Sequence, residues 1–290
     1  MDTAKIVEKK FACTQGGKEF IFMLVRHNNS ENEVFRVLSK SQEASKRTKL
    51  AMMKDLLWKE SIAAVKLSSE FSDFKAFRSE LEKALPQNSS AIRARYTQMI
   101  IRWFFPTHSI DNLLTKVWTF YKDELLLREI MRYQYLTIEP VVREFVIQNV
   151  LTRPPGSVLK IDYLKDFLMK KYGVVKKHPL TALSSAIRYI GLASRGKNGI
   201  VISEISIPKT ALLILTHHIF APTPRTVTVK EILSNCFWWC LGIRDSETVK
   251  KTLHEADANG IITKYIVADQ LEQITTKYSF DEFVQRKIRL

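Results

Sequence analysis

Cysteine is scarce: three residues in 290, Cys13, Cys236 and Cys240, an odd number with no CxxC pair. That argues against a disulfide framework and favours a reducing compartment, so the expected address is the cytoplasm. Glycine and proline number only 9 each, which excludes collagenous and low-complexity classes. Long apolar runs are also missing. The best stretches, 20–25 and 211–215, fall far short of the roughly 18 residues of a membrane helix, and the Met1-Asp2-Thr3 start lacks the basic and apolar regions of a secretory signal. The expectation is a chain neither exported nor membrane-spanning.

Acidic residues are in deficit as well. Lys and Arg total 45 against 30 Asp and Glu, a net charge of +15, which is the balance of a polyanion binder. The excess is uneven: residues 157–227 hold 11 bases and 3 acids, whereas 111–156 and 228–290 are each neutral, and 1–110 carry 19 against 12. More than half of the excess thus falls in 71 residues. An ordinary solvated surface intersperses its signs, so nucleic acid is the favoured partner of this segment.

What remains, 46% hydrophobic, is globular composition. Residues 19–25 and 34–38 are β-compatible runs around the loop signal His27-Asn28-Asn29-Ser30, which predicts a short N-terminal β-hairpin. From 41 to 85 the period turns helical: Leu50, Met53, Leu57, then Phe74, Phe77, Leu81 and Leu85. After Pro86-Gln87-Asn88, Ser89 or Ser90 caps a helix with Ile92, Tyr96, Met99 and Trp103 inward. Helices over 110–136 and 138–151 follow. Arg153-Pro154-Pro155-Gly156 is the sharpest break, because two prolines cannot continue a helix.

Beyond it, Ile161, Leu164, Phe167 and Leu168 make one helix face closed by Gly173, and Pro179 opens a second helix with Leu183, Ile187 and Ile190 inward. Ser184, Ser185, Arg188 and Tyr189 are expected outward. Strands at 192–194 and 200–207 flank Arg195-Gly196-Lys197-Asn198-Gly199, a hairpin turn. Helix, helix and ribbon is the order of a winged helix-turn-helix. It recurs after Ala221-Pro222-Thr223-Pro224, with helices at 228–241 and from Asp245 to Asn259-Gly260, then a ribbon at 261–267 and 270–277. The expected fold is mainly α, a helical N-terminal and middle bundle with tandem winged modules. Its domains are 1–85, 86–153, 154–207 and 208–290.

In helix-turn-helix readers the second helix enters the major groove while flanking cations and the wing hold phosphates. The first module offers Lys176, Lys177 and His178 beside a helix N-terminus, Ser184, Ser185, Arg188 and Tyr189 on its face, and Arg195 and Lys197 in the wing. The competing reading is a solvated face on a fold used for protein contact. Arg93, Arg95 and Arg102 on the 90–105 helix are either phosphate contacts or partners of Glu80, Glu82 or Asp111. In the second module Lys250 and Lys251 are offset by acids, so 228–290 is expected to meet proteins.

Motifs for catalysis are wanting. Gly16-Gly17-Lys18 lacks the rest of a P-loop, and HExxH, GxSxG and GxGxxG are absent. Cys236 and Cys240, with His217, His218 or His254, could complete a zinc set, but Phe237, Trp238, Trp239 and Leu241 around them favour a packed core helix. Asp162 and Asp166, at i and i+4, read as helix surface rather than a nuclease pair. No enzyme activity, cofactor or metal is expected.

Ser89-Ser90-Ala91-Ile92-Arg93-Ala94-Arg95 with Ile101-Arg102-Trp103, the helices of 118–150, Asp166-Phe167-Leu168, Ser184-Ser185-Ala186-Ile187 and Gly191-Leu192 resemble BrxA-like proteins, small components of BREX phage-defence systems. The resemblance covers 85–207, about 40% of the chain. It implies a helical scaffold with helix-turn-helix elements, double-stranded DNA binding without catalysis, and protein partners in a defence complex. Residues 1–85 and the second module depart from that pattern. An assembly subunit of another complex, or a transcriptional regulator, is the alternative expectation.

Overall fold

A computed structural model describes residues 8–15, 18–25, 34–38, 56–173, 177–268 and 271–290. They divide between two compact units, each gathered from three stretches: Met1–Lys54, Val141–Ile205 and Lys230–Arg244 in one; Asp55–Pro140, Ser206–Val229 and Asp245–Leu290 in the other. The described structure is mostly helical, with small antiparallel sheets. Among the described residues no helix is long and apolar enough to cross a membrane.

The unit containing 55–140 is built on α1 (Trp58–Ser68), α2 (Phe74–Ala84), α3 (Ser90–Phe104), α4 (Leu113–Tyr121) and α5 (Glu124–Ile138). Phe77, Leu81 and Leu85 are buried as the helical period predicts, while Leu50 and Met53 lie outside the described residues. Phe77 sits against Phe71, Phe74 and Phe105, the last at 4.8 Å between ring centroids. The single helix expected over 110–136 is in fact two. Asn112 caps α4 by accepting from Leu114 and Thr115, Lys122 then turns left-handed (φ 50°), and Asp123 caps α5 by accepting from Leu125 and Leu126. Two polar N-caps within eleven residues override an apolar period that runs through both helices. Ile92, expected inward, is 44% exposed.

The same unit holds α9 (Lys209–Phe220), in which every residue from Ala211 to His217 is buried. A helix covered on all sides shows no polar stripe, which accounts for the apolar run at 211–215. His217 on it bonds from Nδ1 to the Leu213 carbonyl (2.8 Å) and lies against Phe283; burial pushes its imidazole down to about 4, keeping it neutral.

In the other unit β1 (Glu8–Gln15), β2 (Lys18–Val25) and β3 (Val34–Leu38) form an antiparallel sheet, so the hairpin read from 19–25 and 34–38 is present and gains a leading strand. The helix expected over 138–151 is α6 (Pro140–Phe145) running into a π-helical turn, Val146–Val150. After the double proline come β4 (Val158–Lys160), α7 (Ile161–Tyr172), α8 (Lys177–Tyr189), β5 (Ala193–Gly196) and β6 (Gly199–Ile202). The sheet order is β4-β6-β5, so the strand ahead of the helices pairs with the last strand after them. The second ribbon strand stops at Ile202, short of the expected 207.

The order strand, helices, strand, strand recurs in β7 (Thr226–Thr228), α10 (Val229–Ser234), α11 (Phe237–Cys240), α12 (Ser246–Ala258), β8 (Ile262–Ala268) and β9 (Leu271–Thr276), followed by α13 (Phe280–Gln285). The sheet is β7-β9-β8, the same arrangement. The helix expected over 228–241 is interrupted between Ser234 and Phe237, where Asn235 accepts from the Phe237 amide. Asp245 caps α12 as expected, accepting from Thr248 at 2.7 Å.

Candidate nucleic-acid interface

The site is set by the β5–β6 hairpin. Gly196 pairs with Gly199, leaving Lys197 and Asn198 as a two-residue turn. Gly199 also stands opposite Lys160 in β4, so close that a Cβ there would lie 2.0 Å from the Leu159 carbonyl oxygen. Only glycine allows the hairpin to lie this near to β4. The Ile161 amide, at the first residue of α7, donates to the Asn198 carbonyl (3.3 Å) and ties the turn to that helix start.

Between these parts lies an open cleft of about 770 Å³. Its walls are the β4–α7 junction (Lys160, Ile161, Asp162), the C-terminal half of α8 (Ser184, Arg188) and the β5–β6 hairpin (Arg195, Gly196, Lys197, Asn198, Gly199). Four cations meet one acid there, and Asp162 already faces Lys165 at 3.0 Å. Arg188 is half-buried and held along its own helix, donating from Nε to the Ser184 carbonyl (3.3 Å) and from Nη2 to Ser185 Oγ (3.1 Å). Arg195, Lys197 and Lys160 are exposed. Like charges gathered in a concave wall focus a positive potential on the cleft.

The predicted residues therefore separate into groups. Ser184, Arg188, Arg195 and Lys197 share the cleft. Lys177 and His178 are exposed on the first turn of α8, which begins at Lys177 rather than at Pro179, and Tyr189 is 41% exposed at its end. Lys176 lies outside the described residues. Ser185 was expected outward and is buried; it serves the surface only indirectly, by holding Arg188. Two residues from both Leu183 and Ile187, it falls across the helix from them, so the apolar period did not show its burial beside Ala182.

Arg93, Arg95 and Arg102 lie in the other unit and serve different ends. Arg93 donates to the carbonyls of Gln87 (2.7 Å) and Asn88 (3.2 Å), fastening the turn before α3. Arg102 pairs with Glu139 at 3.1 Å, not with Glu80, Glu82 or Asp111. Burial pushes the Glu139 carboxyl up, opposed by the Trp103 indole N–H (2.9 Å) and by Arg102. Arg95 is exposed.

Lys160 escaped the sequence reading. The strand that places it, Val158-Leu159-Lys160, alternates exposed, buried, exposed in the structure, but three residues are too short for a periodicity signal in the sequence. Among the described residues no group of three or more His, Cys, Asp or Glu is placed to hold a metal ion; Cys236 and Cys240 are buried thiols, and His254 stacks on Tyr265. No protein-family model, curated protein or solved structure matches the chain.

Proposed function

We propose that the protein is a noncatalytic double-stranded DNA binder, with 157–202 acting as a winged helix-turn-helix module and α8 as its reading helix. The observation that carries this reading is the cleft in which Lys160, Arg188, Arg195 and Lys197 converge from a strand end, a helix and a wing. The pairing of β4 with β6 is the strand arrangement that a winged module requires. Membership of a BREX-type phage-defence complex rests on the BrxA-like pattern of 85–207.

The second strand-helix-strand arrangement is the proposed protein-contact element. Its charges balance, with 9 bases and 9 acids over 228–290, and Lys250 bridges Glu272 at 3.0 Å. A partner retained by 228–290 after complete nuclease digestion is the expected result.

Fluorescence anisotropy on a random duplex tests the DNA reading. Each phosphate neutralised contributes about −0.9 to the slope of log K against log salt, so four contacts weaken binding by about 100-fold between roughly 50 and 200 mM salt. Replacing Arg188, Arg195 and Lys197 by alanine lowers affinity and flattens the slope. Binding indifferent to salt, or unchanged in the triple variant, refutes the assignment.

A further inference from the structure

The cleft is open, but the backbone of its hairpin and helix start and one of its four cations, Arg188, are held in place before any ligand arrives. The Gly199 contact with Leu159 and the bond from the Ile161 amide to Asn198 set the spacing of wing and helix. Arg188 is held by two bonds that occupy Nε and one Nη2 proton, and its remaining guanidinium donors are committed to neither. No side chain caps the start of α7, whose first residues, Ile161 and Asp162, line the same space. The Ile161 amide is taken by Asn198, and the amides that follow it in the first turn add a fixed partial positive charge to that of the side chains.

We propose that this cleft is a discrete site for a compact polyphosphate, such as the phosphate chain of a free nucleotide, and that the occupant competes with duplex DNA. The inference rests on the DNA reading for its consequence but not for the site. About 770 Å³ is within the range of small-ligand clefts. Arg188, already held along its helix, loses less side-chain freedom on meeting a multiply charged phosphate than a free surface cation does, and the exposed Lys160, Arg195 and Lys197 add charge around it. A single sulfate engages too few of the donors to match it. The linear chain of a triphosphate can meet Arg188, the helix start and the wing together.

Calorimetry on the full chain with inorganic tripolyphosphate, adenosine triphosphate and sulfate at matched ionic strength tests this. One equivalent of tripolyphosphate is expected to bind, with affinity at least about 10-fold above that of sulfate. It should fall by about 10-fold or more in Arg195→Ala/Lys197→Ala. Both positions are exposed, so the fold should survive, and the charge-keeping Arg195→Lys/Lys197→Arg variant should retain binding. Adenosine triphosphate binding as well as tripolyphosphate supports a nucleotide occupant. Several weak equivalents, equal binding by the alanine variant, or displacement of labelled duplex no better than by sulfate overturns the proposal. If duplex binding is salt-sensitive and lost in the variant while tripolyphosphate fails to bind, the discrete site falls and the DNA reading stands. If tripolyphosphate binds and no duplex does, the DNA reading and the competition fall together and the discrete site stands.

Discussion

Gly199→Ala is the sharpest probe of how the β5–β6 hairpin is held against β4. The new Cβ would lie 2.0 Å from the Leu159 oxygen and 3.0 Å from Lys160 Cα, both backbone atoms that cannot swing aside. A carbon–oxygen contact settles at about 3.3 Å, so β4 and β6 must part by roughly 1 Å. Three register pairs join these strands: Val158 with Val201, Leu159 with Ile200, and Lys160 with Gly199. Overpacking costs about 1–3 kcal/mol and each weakened ladder bond about 1 kcal/mol more, giving about 3 kcal/mol in all. Gly156→Ala is the control, for Gly156 has φ +83° and no atom within 4 Å of its would-be Cβ, so only backbone strain of about 1 kcal/mol applies. Urea unfolding of both variants, read with amide exchange over 199–202, should separate them by about 2 kcal/mol. A Gly199→Ala protein within about 0.5 kcal/mol of the Gly156→Ala control refutes the steric argument.

Phe77→Ala empties a fully buried site ringed by Phe71, Phe74 and Phe105, and is expected to cost about 4 kcal/mol in denaturant unfolding; a loss below about 1 kcal/mol would mean that the cluster does not support its unit. Glu129 has its carboxyl pushed up to about 7, by burial first and then by Asp123, against the pull of Arg132. The folded state therefore holds a proton that the unfolded chain has released, and stability falls as pH rises from about 4.5 to about 7. Glu129→Gln should flatten that fall, worth about 2 kcal/mol after allowance for solvent screening, and an unchanged pH profile would contradict it.

Most helices were legible because their apolar period and caps agree. Leu164 and Leu168 on α7, Leu183 and Ile187 on α8, and Asp245 ahead of α12 stand where pattern and chemistry place them. Discontinuities inside apolar stretches were not legible. The Lys122 turn between α4 and α5 and the Ser234–Phe237 interruption are imposed by Asp123 and Asn235 side chains against a hydrophobic period that would permit continuation. Strands β4 and β7, three residues each, acquire their identity only from distant partners, Gly199–Val201 in one case and Gln273–Thr275 in the other. The cleft shows the same division. Arg195 and Lys197 are declared by their turn, whereas Lys160 joins them through a pairing forty residues long, and Ser185 is drawn inward by the same helix face that buries Ala182 and Ala186.

The chain passes from one compact unit to the other at 54–55, 140–141, 205–206, 229–230 and 244–245. The unit with 141–205 therefore needs Lys230–Arg244 and the other needs Asp245–Leu290, so early-made segments must wait for late-made ones. Closing such distant contacts is slow relative to local helix formation. Nascent chains should lean on chaperones more than a protein of beads on a string would. A stop codon after Val229 should take the last stretch from both units at once, not trim one from the other.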